Sequence, residues 1–360
     1  MTSRERIEAA LKHQEPDRTP IFEYVLLPPL AEAFLGRRYV DYAGEGDWSE
    51  LVREKGWENA IRQYAVDRVA LATRLGHDML YVVFNPLPPK TRDPRRKRER
   101  VAPTDPVERI IFENEEAAEQ LVYEPPEDVM LIYDLLKEEM ARRDLDLPIL
   151  APCYYHGVWT NTDLMITMLA APEVAHRHFA LATQKGLRFI EAYLRHGIDQ
   201  IGVGGDFAGN RPLISPEMYR EFMAPEIRNL TRRIHSAGKR AINASDGDLW
   251  PVIEDFLLGC EVDGYLEIDM GAGMDLHRLK AAYGDHITFY GNMDCGNILS
   301  FCTPEEVRRY TRECLEAGLG NGGHVFCCSN AITASVRPDN YLAMLRAYRK
   351  MFGLPNLPAL

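Results

Sequence analysis

Carboxylates and thiols recur in this chain just after short apolar runs, where the end of a strand would present them. Asp206 follows Gln200–Gly204, Asp246 follows Arg240–Ile242, Glu267 follows Gly264–Leu266 and Asp294 follows His286–Tyr290. Converging carboxylates can serve as acid and base once their surroundings separate their pKa values, and they can hold a cation. Cys327 and Cys328 follow Gly323–Phe326. A set of Asp246, Glu267, Cys327 and Cys328 would suit zinc. Successive side chains of a strand point to opposite faces, so only one of two adjacent cysteines can enter a given pocket. The competing reading makes the carboxylates helix caps or ion-pair partners and the cysteines small buried hydrophobes.

His156 closes the cluster Cys153-Tyr-Tyr-His156 and is a candidate acid–base group or ligand. Asp246, Glu267, His156 and Asp206 are thus the candidate catalytic residues. Glu23, Tyr24, Asn85, Tyr154, Tyr155, Asn292, Ser329 and Asn330 occupy equivalent places after apolar runs and are the candidate substrate contacts.

These residues need elements to position them. Eight apolar runs alternate with helical stretches: Pro20–Val25, Met79–Phe84, Pro148–Cys153, Gln200–Gly204, Arg240–Ile242, Gly264–Leu266, His286–Tyr290 and Gly323–Phe326. That rhythm predicts parallel strands with helical crossovers, a single (β/α)8 TIM barrel over residues 1–360. In such barrels the loops after the strands build the active site. An N-terminal helical extension, Ser3–His13, precedes the first strand. Pro86–Asp105, rich in proline and in cations from Lys90 to Arg100, reads as an insertion after strand 2. Helix signals include Ser215-Pro-Glu217 and the capping box Thr303-Pro-Glu-Glu306. Gly247–Leu258 reads as the helix after strand 5.

Composition narrows the function classes. The chain is 46% hydrophobic and 27% charged, with a net charge of −12, so a soluble protein that does not bind nucleic acid broadly is expected. No apolar stretch nears the roughly 20 residues of a membrane span, and Met1-Thr-Ser-Arg-Glu-Arg lacks a signal peptide's apolar core. Seven cysteines without a CxxC pair do not form a disulfide framework. A cytoplasmic protein with reduced thiols is the expectation.

Several motifs carry a family resemblance: Arg4-Glu-Arg6 with Pro16-Asp-Arg-Thr-Pro20, Leu213-Ile-Ser-Pro-Glu217, Asp246-Gly247, Gly273-Met-Asp275, Gly291-Asn-Met-Asp294, Thr303-Pro-Glu305 and Pro338-Asp-Asn340. In these the chain resembles the uroporphyrinogen decarboxylase superfamily. The resemblance implies a (β/α)8 barrel and one of two chemistries. One is cofactor-free decarboxylation of a carboxylated tetrapyrrole. The other is methyl transfer involving corrinoid proteins and thiols, with a zinc-activated thiol in many members. The chain departs from both patterns. Where the decarboxylases carry an arginine-rich segment, it has Glu23-Tyr-Val-Leu-Leu-Pro-Pro29, and where they carry an aspartate it has Asn85. Where the zinc methyltransferases carry His-x-Cys-Gly it has Ala244-Ser-Asp-Gly247, and the second cysteine position falls near Asn330.

The leading expectation is a methyltransferase or demethylase acting on a small methylated substrate, with a corrinoid protein or a thiol as acceptor and zinc as a candidate cofactor. The alternatives are a decarboxylase of a tetrapyrrole or other small acid, needing no cofactor, and a barrel that binds without catalysis. A homodimer is a candidate assembly.

Overall fold

The computed structural model describes residues 1–42, 45–89 and 101–357. The basic run from Lys90 to Arg100 lies outside the described residues. Seven short strands form one curled, all-parallel sheet: β1 (Leu80–Tyr81), β2 (Ile149–Pro152), β3 (Gln200–Gly204), β4 (Arg240–Ala244), β5 (Gly264–Leu266), β6 (Thr288–Tyr290) and β7 (His324–Val325). They pair in sequence order. Each links to the next through helices, as parallel neighbours require.

The first apolar run, Pro20–Val25, does not form the eighth regular strand expected of it. It makes isolated parallel bridges, Ile21 to Phe326 and Leu26 to Ile332. The Phe22 N–H donates to the Phe326 carbonyl, and on the other side the Asp78 N–H donates to the Ile21 carbonyl. Ladder formation stops because Pro20 has no N–H to give and the Ile21 N–H donates to the Asp78 carboxylate at 3.0 Å.

Alternation along the strands sorts side chains into two layers. Leu150, Ile242, Leu266, Tyr290 and Val325 share an inner cluster with Ile7, Ala10 and Leu11. The latter three belong to the opening helix, Ser3–Leu11, which is held by a Thr2–Glu5 capping box. Ile149, Ile201, Ala241, Tyr265 and Phe289 face outward, into the layer shared with the surrounding helices.

Two of those helices begin where the caps predict. Thr303 and Glu306 form a capping box ahead of Pro304–Gly318. Ser215 accepts from the Met218 N–H. After β4 the expected helix is replaced by a 3₁₀ turn, Trp250–Val252, and a π turn, Asp255–Gly259. Gly247 at φ +92° and Pro251 leave no uninterrupted α segment there. Among the described residues no helix is long and apolar enough to cross a membrane.

Candidate active site

The ends of β3, β4 and β5 carry three carboxylates into one place. Asp206, Asp246 and Glu267 each present an oxygen, and all three oxygens lie within 4.8 Å of one another. The loops are stitched backbone to backbone. The His156 N–H donates to the Gly204 carbonyl, the Gly205 N–H to Ala244, and the Val158 and Trp159 N–H groups to Asp206. This close approach requires glycine. A Cβ on Gly157 would come within 2.9 Å of the Asp206 backbone, and Gly205 sits at φ +130°. Glu267 adopts φ +73°, an uncommon conformation for a non-glycine residue that costs on the order of 1–3 kcal/mol. Such strain is found where position matters more than stability.

A cavity of about 420 Å³ opens beside the cluster. Tyr154, Tyr155, Gly157, Trp159, Gly205, Asp206 and Glu267 line it, and the Tyr155 ring carries the Lys185 ammonium over its face, 4.2 Å from the centroid. No lysine, arginine or histidine is among the described residues that line it. Tyr24 and Tyr81 belong to the inner cluster below, their ring centroids 5.6 Å apart. The Tyr24 hydroxyl is buried without a hydrogen-bond partner, and the Tyr154 hydroxyl is paired with that of Tyr81.

Burial and crowding decide the charges. Burial pushes Asp246 up to about 7, opposed by a 2.5 Å hydrogen bond from the Asn330 side-chain amide and reinforced by Asp206 and Asp269. Burial raises Glu267 well above the carboxylate range, with Asp246 and Asp206 adding repulsion. Burial also raises Asp206, against a hydrogen bond from the Asp246 N–H. Such a trio stays partly protonated until a cation compensates it.

Other candidates lie elsewhere. His156 is fully buried behind the loop, its Nε2 2.8 Å from the Thr183 hydroxyl, and burial lowers it to about 3. Asn85 ties its carboxamide to the Asp128 and Pro86 carbonyls and the Ile132 N–H. Asn292 donates to the Met274 carbonyl and borders a separate cavity with Cys314. Asp294 accepts from the Asn297 N–H and side-chain amide, closing its own turn. Ser329 lies 3.9 Å from the Cys295 thiol.

The two adjacent cysteines separate as alternation requires: Cys327 joins the inner cluster and Cys328 the outer one. The Cys328 N–H and thiol donate to the Glu23 carboxylate at 3.2 and 3.1 Å. Neither thiol joins the carboxylate trio. The thiolate-bearing zinc set expected from the sequence is therefore not assembled.

Tyr81, Trp159 and the Gly157/Gly205 contact escape the sequence reading. Tyr81 left a signal, since Met79 and Tyr81 share the inward phase of β1.

Burial pushes Glu23 up to about 8. A folded-state pKa above the unfolded one means stability fully present below the ordinary glutamate range and lost as pH rises through about 8. Glu23→Gln, which cannot ionise, is expected to melt close to the native protein at pH 4 and a few degrees above it at pH 9. Parallel melting curves across that range would refute a buried, protonated Glu23.

A parallel α/β sheet with an acid-lined cavity at the carboxyl ends of its strands is the architecture of a small-molecule site. The family follows from comparison: residues 148–351 match the model of the uroporphyrinogen decarboxylase (URO-D) family, and the chain belongs to it. Uroporphyrinogen decarboxylase of Magnetococcus marinus is 23% identical, covering 97% of each chain. The methylated-thiol–coenzyme M methyltransferase of Methanosarcina mazei is 26% identical over 44% of this chain and 39% of its own. In fold, a solved methyltransferase from Methanosarcina mazei superposes with a TM-score of 0.67 at 15% identity, covering 98% of this chain and 99% of the other.

Proposed function

We propose that this chain is a methyltransferase that takes a methyl group from a small methylated substrate and passes it to a thiol or a corrinoid protein. The observation that carries the reading is the charge of the cavity: Asp206 and Glu267 line it with Asp246 beside them, and no cation lines it among the described residues. A substrate bearing several carboxylates, as a tetrapyrrole decarboxylase must hold, would meet Asp206 and Glu267 with no cation among the described lining residues to balance it. A small neutral or cationic methyl donor needs no such balance. The volume of about 420 Å³ suits a small molecule.

In this reading Asp206, Asp246 and Glu267 hold and orient the donor, and Asn330 fixes Asp246. Tyr154, Tyr155 and Trp159 exclude water from the methyl group. An oxygen-only trio is also a donor set for a hard divalent ion.

The test offers a panel of methylated donors, with uroporphyrinogen in parallel. Methyl transfer to an added thiol or a corrinoid acceptor is expected. Carbon dioxide release from uroporphyrinogen, with no methyl transfer from the panel, would overturn the reading.

A further inference from the structure

A second cavity, of about 490 Å³, is bordered by the helices Pro106–Gln120 and Pro172–Arg195. Phe84, just past β1, and Tyr155, just past β2, reach it, so Tyr155 is a wall common to both cavities. Its apolar side is Phe84, Ala117, Leu121, Tyr123 and Pro125. Phe84 stacks on Phe189, their ring centroids 4.8 Å apart, and the Tyr123 ring is 45% exposed. Rings and alkyl groups with a few placed polar atoms are the lining of a small-molecule site.

The polar group that selects a ligand is His178, which also lines this cavity. The buried Asn114 side-chain amide donates to the Val174 carbonyl at 3.0 Å, which turns the Asn114 oxygen to His178 Nδ1, also at 3.0 Å. That oxygen only accepts, so Nδ1 carries the proton and Nε2 keeps a lone pair. Burial lowers the His178 pKa, so the ring stays neutral. Among the described residues no group donates to Nε2. An acceptor drawn out of water without a donor is unfavourable, and a ligand bearing an O–H relieves it. The charged groups do not single out an ion. Lys185 and Arg188 border the cavity, and so does Glu113. The Arg188 guanidinium donates to Glu124 at 2.6 Å, and the Lys185 ammonium lies over the Tyr155 ring. A neutral imidazole acceptor faces an anion lone pair to lone pair.

We propose that this cavity binds an uncharged aromatic alcohol, a phenol whose hydroxyl donates to His178 Nε2 and whose ring lies against Phe84, Leu121 and Tyr123. Each part of the wall sets one part of the ligand. Rings suit ring walls because the face and the edge of an aromatic carry opposite partial charge. One fixed acceptor calls for one donor at the edge of an otherwise apolar body. The proposal is independent of the methyl-transfer reading, since neither Asp206 nor Glu267 lines this cavity.

The experiment is calorimetric titration of the full-length protein with phenol, with toluene as the ring of like shape without a donor, and with benzoate as the anion. Saturable phenol binding is expected, with toluene and benzoate each about tenfold weaker or more. Tyr123→Ala is expected to weaken phenol and toluene alike while keeping the native melting temperature, because the ring is half-exposed. His178→Phe keeps a ring and removes the acceptor, so it should bring phenol down to the affinity of toluene. If that variant fails to fold, the comparison of phenol with toluene on the native protein still tests the hydrogen bond, and Tyr123→Ala still tests the place. Equal affinity for phenol and toluene would overturn the proposal, as would tighter binding of benzoate or no saturable phenol binding. Phenol binding that Glu267→Gln weakens and Tyr123→Ala does not would place the ligand in the other cavity and overturn it as well.

Discussion

Asp246→Ala and Glu267→Ala are each expected to lower methyl-transfer kcat/KM by about 10²–10³-fold while melting at or above the native temperature. The activity loss follows from removing a buried charged partner of the ligand, on the order of 2–5 kcal/mol. The retained stability follows from the same geometry. Burial and mutual repulsion raise the pKa of both groups, to about 7 for Asp246, so each opposes folding once ionised. Deleting one relieves the others. The pH profile has a fixed sign: only ionised Asp246 attracts a cation, so kcat/KM rises as pH passes through about 7. Asp246→Asn should flatten that rise. Normal turnover in both alanine variants would remove the trio from the mechanism, and a large loss of melting temperature would make the carboxylates structural.

The largest stability effect is expected at Asp78, far from the cavity. Its carboxylate is fully buried. It accepts from Arg6 at 2.6 Å, from Arg18 at 2.6 and 2.8 Å, from the Ser3 hydroxyl and from the Ile21 N–H. Asp78→Ala would leave two largely buried guanidinium groups without their shared counter-charge. The cost is about 3–5 kcal/mol, a fall in melting temperature on the order of 10 °C. Denaturant unfolding of Asp78→Ala beside Asp78→Asn measures it, and a loss below about 1 kcal/mol would show that the guanidinium groups find other partners. This node also gives a physical reading of Arg4-Glu-Arg6 and Pro16-Asp-Arg-Thr-Pro20. Arg6 and Arg18 fasten the opening helix and the first apolar run to Asp78 ahead of β1, while Arg4 reaches Asp146 and Asp199 ahead of β2 and β3.

Much of this was legible because strand ends are read by position. Asp206, Asp246 and Glu267 each follow an apolar run, and parallel pairing in register brings those ends together. What stayed hidden depends on which way a side chain turns. His156 and Asn85 stand at strand ends too, yet they satisfy buried hydroxyl and backbone groups. An imidazole or a carboxamide serves that task as well as it serves a ligand. Alternation allowed one cysteine in the pocket, but not that Cys328 would pair with Glu23 across the molecule. The first run has the composition of a strand, but only the position of Asp78 reveals that a carboxylate takes the Ile21 N–H.

The seam between the first run and β7 bears on how the protein is made. Glu23 and Cys328 are 305 residues apart, and Tyr348 reaches back to the Thr19 carbonyl. During synthesis the early elements emerge first, with the first run lacking its neighbour beyond β7 for almost the whole of translation. An unpaired strand edge is a template for wrong pairing. The Asn330 that fixes Asp246 arrives with the same late segment, so the pocket acquires its final geometry only at the end. A ribosome that stalls before Phe326 would release a chain that is largely folded, open at one seam and incomplete at the site.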